Sequence, residues 1–145
     1  MDFVASNGIT TGYQLHGPEN GRPLVLVNSL GTDARIWDGV VAALAPRYRI
    51  LCYDKRGHGL SDAPPGPYAI DDFVTDLAAL TERLGWTRFT LCGVSVGGMI
   101  GQAFAARRPD RLDALVLCNT AARIGDGAFW ADRIGAIEAG GIAAI

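Results

Sequence analysis

The 145-residue sequence is poor in the residues that bind metals, cross-link chains or attract polyanions. It has three cysteines, an odd number, with no close pair and no C-x-x-C spacing, which argues against both a disulfide framework and a zinc site. Cys52, Cys92 and Cys118 each fall within or at the end of an apolar run and read as small, reduced, buried side chains. Charged residues make up 19 % of the chain with a net charge of -2 and no basic stripe, so nucleic acid is not an expected partner. No apolar run reaches bilayer-spanning length, and Met1-Asp2-Phe3-Val4 carries neither a basic nor a long apolar leader. The expectation is a cytoplasmic protein with no membrane partner. Internal repeats, low-complexity tracts and linkers are missing too, and histidine occurs only twice, at His16 and His58. What is present is a 49 % hydrophobic chain long enough to bury one real core.

Apolar periodicity divides the chain into short strands and helices. Residues 3–16 read as a hairpin, with Asn7-Gly8 as its two-residue turn and Ile9, Thr11, Tyr13 and Leu15 alternating behind it. His16, beside Gly17-Pro18, reads as a surface residue. Residues 24–27 form an uninterrupted apolar run, the signature of a strand covered on both faces. Thr32 or Asp33 is placed to cap a helix carrying Ile36, Trp37, Val40, Val41 and Leu44, closed by Pro46. Residues 49–53 are another buried strand. Asp71 or Asp72 is placed to cap a helix with Ile70, Phe73, Leu77, Leu80 and Leu84 on one face, ended by Gly85. A strand over 89–94, a helix over 99–108 stopped by Pro109, and a buried strand over 112–117 follow. This order predicts an α/β fold over residues 1–123, a mostly parallel sheet with helices on both faces behind an antiparallel hairpin. Over 124–145 the character changes: Phe129, Trp130, Ile134 and Ile137 lie among Gly and Ala, in a helix expected to reach about Glu138.

In parallel sheets the site lies at the carboxyl ends of the strands. Residues 28–31, residues 54–62, Ser95 and Asn119 all occupy such ends. Gly93-x-Ser95-x-Gly97 is the G-x-S-x-G pattern, in which a strand turns sharply into a helix and lifts a serine hydroxyl clear of the sheet. A serine there needs a strained backbone, costing about 1–3 kcal/mol, and glycines two residues away remove the side-chain collisions of so tight a turn. Among 19 glycines the pattern can arise by chance. Its position between an apolar strand and a helix of small residues makes Ser95 a candidate nucleophile, the plain alternative being a glycine-lined turn with an incidental serine.

With these motifs in place, the chain resembles the α/β-hydrolase superfamily over the first half or so of that fold. More narrowly, residues 28–33 (Asn-Ser-Leu-Gly-Thr-Asp), 54–61 (Asp-Lys-Arg-Gly-His-Gly-Leu-Ser), 92–98 and 117–125 are similar to 3-oxoadipate enol-lactonases. Those enzymes open the lactone ring of 3-oxoadipate enol-lactone in the protocatechuate branch of the β-ketoadipate pathway of aromatic catabolism, with a Ser-His-Asp triad and no cofactor. The resemblance implies Ser95 as nucleophile and the backbone N–H groups of Leu30 and Val96 as oxyanion donors. It implies Ser29, Trp130 and Arg133 as substrate-binding residues, an arginine suiting the carboxylates of a small anionic lactone or ester. A packed Trp130 and a solvated Arg133 are the plain alternative. Asn28-Ser29 stands where many superfamily members carry His-Gly. Asn28 is expected to fix the loop by hydrogen bonding, against an ordinary Asn-Ser turn.

His58 lies in Arg56-Gly57-His58-Gly59, which matches a structural loop of the superfamily, and the triad order Ser, acid, His places the family's base after its last strand. Asp110, Asp113 and Asp126 follow Ser95, but at positions matching the helix-to-strand turn, the sixth strand and the cap region. The expectation is therefore that the triad acid and histidine are not in this chain and that 124–145 opens a helical cap. The chain alone would then be inactive, with a companion chain carrying the C-terminal half as one way to complete it. Two other readings remain. One is a hydrolase of the same fold with another substrate, such as a carboxylesterase, a C–C bond hydrolase or a haloperoxidase-like enzyme. The other is a non-catalytic module pairing through its open sheet edge.

Overall fold

The computed structural model describes residues 1–144; Ile145, the last residue of the expected cap segment, lies outside the described residues. Strand β1 (Asp2–Ser6) and strand β2 (Ile9–His16) form the antiparallel hairpin. Asn7 and Gly8 have φ of 49° and 76°, the left-handed pair that a two-residue type I′ turn requires. Strands β3 (Arg22–Val27), β4 (Tyr48–Tyr53), β5 (Phe89–Val94) and β6 (Leu112–Cys118) complete one sheet in the order β1-β2-β4-β3-β5-β6. β2 runs antiparallel to β4, and the pairs β4-β3, β3-β5 and β5-β6 are parallel.

Alternate residues of a strand point to opposite faces, and both faces of the central strands are apolar here. Val25, Val27, Leu51 and Tyr53 pack with Phe73, Leu77, Leu80, Ile100 and Phe104 on one face. Leu24, Leu26, Ile50 and Cys52 pack with Ala34 and Trp37 on the other. The first of these faces is covered by helices α2 (Ile70–Arg83) and α3 (Val96–Arg107). The second is covered by a 3-10 turn over Ala34–Trp37 that continues into the short helix α1 (Asp38–Leu44). Asp33, not Thr32, is the cap of that turn, its Oδ1 accepting from the Arg35 amide at 2.9 Å. Neither Asp71 nor Asp72 caps α2. Ala69 holds that position, and Asp72 reaches back from within the first turn to accept its N–H at 2.7 Å, the reciprocal half of a capping box.

Two further expectations need correction. β6 is not a buried strand: Val116 and Leu117 are each 45 % exposed, because β6 pairs only with β5 and forms an edge of the sheet. Of the cysteines only Cys52 is buried, while Cys92 and Cys118 are half-buried beside that edge; all three are free thiols. Burial pushes Cys52 up to about 12, which leaves it an inert thiol. Helix α4 (Gly127–Gly140) buries none of its residues and is followed by a 3-10 turn over Ile142–Ala144. Among the described residues, no helix is long and apolar enough to cross a membrane.

Candidate active site

β5 ends at Val94 and α3 begins at Val96, so one residue, Ser95, redirects the chain. Its φ of 56° and ψ of -121° lie outside the regions open to ordinary residues. Two contacts, one from the last residue of β6 and one from just past it, hold it there. The Ser95 N–H donates to the Cys118 carbonyl at 3.0 Å, and the Thr120 hydroxyl donates to the Ser95 carbonyl at 2.7 Å. The glycines have the steric role expected of them. A Cβ on Gly93 would overlap the Gly97 carbonyl, one on Gly97 would overlap the Val27 carbonyl, and one on Gly98 would lie 2.5 Å from Thr120. The absence of a side chain at Gly97 thus lets the N-terminus of α3 sit directly against the end of β3.

Val27 pairs with Gly93 in the β3-β5 ladder, which sets the loop leaving β3 beside the Ser95 turn. Asn28 is fully buried. Its side-chain amide donates to the Thr32 carbonyl and, at 3.3 Å, to the Thr32 hydroxyl, while its Oδ1 accepts from Lys55 Nζ at 2.7 Å. Asn28 therefore fixes the loop as expected. The Leu30 side chain is 48 % exposed. Val96 opens α3, so its N–H has no carbonyl one turn back within the helix. Among the described residues, neither the Leu30 nor the Val96 amide has a hydrogen-bond partner. Two free backbone donors and a helix N-terminus at one end of the sheet form an environment that favours developing negative charge.

The loop after β4 supports this arrangement from below. Asp54 is buried, its carboxylate accepting from the Ala34 amide at 2.8 Å and the Leu60 amide at 2.9 Å. Gly59, at φ 52°, has no room for a Cβ against that carboxylate. Arg56 grips Asp76 with two hydrogen bonds, 2.6 and 2.7 Å, which holds its pKa above the usual value. His58 has both ring nitrogens occupied: Nδ1 lies 2.9 Å from the Arg56 carbonyl and Nε2 accepts from the Gly31 N–H at 3.3 Å. One neutral tautomer, protonated at Nδ1, satisfies both contacts. Burial, and then the neighbouring Lys55, hold the His58 pKa below its ordinary value. Lys55 is itself 1 % exposed, and burial draws its pKa down to about 7 against the opposing pull of Asp54.

Asp126 caps α4 by accepting from the Phe129 amide at 2.9 Å. Trp130 is half-buried, donates from Nε1 to the Ile124 carbonyl at 2.6 Å and meets Phe129 edge-on. Trp130, Arg133, Ile134 and Ile137 face Leu30, Gly31, Asp33 and His58 across a cleft of about 590 Å³. The structure thus brings Leu30, Trp130 and Arg133 to one cleft, with Arg133 exposed at its wall. Ser29, Ser95 and Val96 do not line it. Of the acidic residues after Ser95, Asp113 accepts from Arg88 at 2.7 Å and Asp110 lies in the 3-10 turn Pro109–Arg111. Among the described residues, no group of three or more His, Cys, Asp or Glu side chains is placed to hold a metal ion. Sequence reasoning missed the buried roles of Asp54, Lys55 and Thr120. The one available signal was three consecutive charges, Asp54-Lys55-Arg56, directly after an apolar strand.

Comparison with known proteins agrees with this architecture. Residues 22–139 match the family described as alpha/beta hydrolase fold. The chain is 36 % identical over 144 residues to 3-oxoadipate enol-lactonase 2 of Acinetobacter baylyi, an alignment covering 99 % of this chain and 54 % of that protein. Among solved structures, it is similar to an enol-lactonase from Burkholderia xenovorans, with 43 % identity and a TM-score of 0.95 over 99 % of this chain and 56 % of that one. A thermophilic esterase from Thermogutta terrifontis is similar at 31 % identity and a TM-score of 0.86, over 96 % of this chain and 53 % of that one. The chain spans about half the length of these relatives. Sheet order, the strand-turn-helix at Ser95 and the family match together establish that the chain belongs to the alpha/beta hydrolase fold family.

Proposed function

We propose that this chain carries the nucleophile and oxyanion hole of a serine hydrolase acting on a small carboxylic ester or lactone, with an enol-lactone such as 3-oxoadipate enol-lactone as preferred substrate. The observation that carries the reading is Ser95 held in left-handed backbone at the junction of β5 and α3, beside two unpartnered amides. Ser95 Oγ attacks the lactone carbonyl carbon, and the carbonyl oxygen becomes an oxyanion held by the Leu30 and Val96 N–H groups. Collapse of that intermediate breaks the ring C–O bond, and the Ser95 proton, carried by the base from the remaining half, passes to the departing ring oxygen, leaving an acyl-enzyme on Ser95 whose acyl group carries the new enol. Water then cleaves the acyl-enzyme and releases the acid. Each oxyanion donor is worth about 10²–10³ in rate. Because both are backbone groups, the identity of the Leu30 and Val96 side chains is secondary.

The same reading assigns 1–123 to the hydrolase core and 124–145 to the opening of a helical cap, with Ser29, Trp130 and Arg133 as substrate-binding residues. His58, with both nitrogens engaged, is not the base. The triad acid and histidine come from sequence corresponding to the remaining half of the relatives, in a longer polypeptide or a companion chain. The similarity to enol-lactonases favours the lactone over simple esters. Kinetics of the complete hydrolase on 3-oxoadipate enol-lactone beside aryl acetates test the substrate. A kcat/KM at least tenfold higher on the enol-lactone supports the assignment, and the reverse order moves it to the carboxylesterases.

A further inference from the structure

Lys55 is the one buried lysine-type charge under the candidate site, and its contacts are unusual. The ammonium has three N–H donors, and the structure gives it three acceptors: the Asn28 carbonyl at 3.1 Å, Asn28 Oδ1 at 2.7 Å and the Ser29 carbonyl at 3.0 Å. All three belong to the two residues that precede Leu30. Asp54, next in sequence, turns its carboxylate to the Ala34 and Leu60 amides instead. Among the described residues, Lys55 forms no ion pair within 4.0 Å. A buried cation held only by the carbonyls of one loop is costly, and an apolar side chain of that length would avoid the cost.

The geometry of the peptide group shows what the contact achieves. The Ser29 carbonyl and the Leu30 N–H are the two ends of one planar trans peptide and point in opposite directions; the only cis bond among the described residues is Gly66-Pro67. Drawing the Ser29 carbonyl inward onto Lys55 therefore turns the Leu30 N–H outward. The next amide, Gly31, is held separately by His58 Nε2.

We propose that Lys55 is a positioning residue that aims the Leu30 amide at the developing oxyanion. This rests on the reading of Ser95 as nucleophile and of Leu30 as oxyanion donor. Without Lys55, the 28–30 segment keeps its covalent path but loses the constraint on the orientation of that peptide.

The test uses the complete hydrolase in wild-type, Lys55→Met and Ser95→Ala forms, with active sites counted by phosphonate titration so that misfolded protein is excluded from the rate. In Lys55→Met, kcat per titrated site should fall about 10- to 100-fold, somewhat less than the loss of an oxyanion donor, with KM within about twofold. An aryl boronate, which forms a tetrahedral adduct at the serine, should bind more weakly by a similar factor. A purely structural lysine would lower the number of titratable sites and leave kcat per site unchanged, which would overturn the proposal. If Lys55→Met yields no titratable site, Lys55→Gln, which keeps two N–H donors, carries the same comparison. Activity surviving Ser95→Ala would bring down the nucleophile reading and this proposal with it. A dead Ser95→Ala beside a fully active Lys55→Met would bring down the Lys55 assignment alone.

Discussion

His58 shows how a residue with catalytic chemistry is spent on structure. As a neutral imidazole it accepts from the Gly31 amide and donates to the Arg56 carbonyl; a second proton would turn the acceptor into a donor and break the first bond. Its pKa is lowered in the folded chain, so as pH falls below about 6.5 the unfolded chain takes up the proton first. The stability due to neutral His58 is therefore present above that pH and is lost as pH falls toward the folded value. The urea midpoint should drop as pH falls below about 6.5, and His58→Gln should make that drop shallower; equal slopes in the two proteins would contradict this role of His58. The roles of Gly93, Asn28 and Asp33 were legible because each acts on a residue within four positions in sequence, and that of Gly97 because the Gly-x-Ser-x-Gly pattern marks it. Those of Lys55 and Thr120 were not, since their partners stand 25 to 27 residues away.

At the scale of elements, the Ser95 turn depends on β3, β5 and α3 meeting without side chains between them. Gly97 is as tight a point as Gly93, and the atom its Cβ would strike is the backbone carbonyl of Val27, a fully buried residue at the end of β3. Neither partner can rotate away. Gly97→Ala should destabilise the fold by about 1–3 kcal/mol or more, read from denaturant unfolding. A change below about 0.5 kcal/mol, the range of an ordinary surface substitution, would show that α3 does not sit as close to β3 as described. Element order and type followed from apolar periodicity, which reports directly on burial. The exposure of β6 did not follow, because Leu112–Cys118 has the composition of a central strand. Whether a strand is central or at an edge is decided by what pairs with it.

At the scale of the whole molecule, the chain spans about half the length of its relatives. Val116, Leu117, Phe129 and Ile134 are large apolar side chains left between 45 % and 52 % exposed on β6 and α4, on the elements that follow the Ser95 turn in the chain. Within the proposed function, the chain contributes a nucleophile and its anion-stabilising amides, and the base arrives with the remaining half. The most direct test is to react the complete hydrolase with a fluorophosphonate and map the adduct by peptide mass spectrometry. The account predicts a single adduct on Ser95, lost in Ser95→Ala together with about 10⁶-fold in kcat. An adduct elsewhere with Ser95 unmodified, or turnover undiminished in Ser95→Ala, would contradict it.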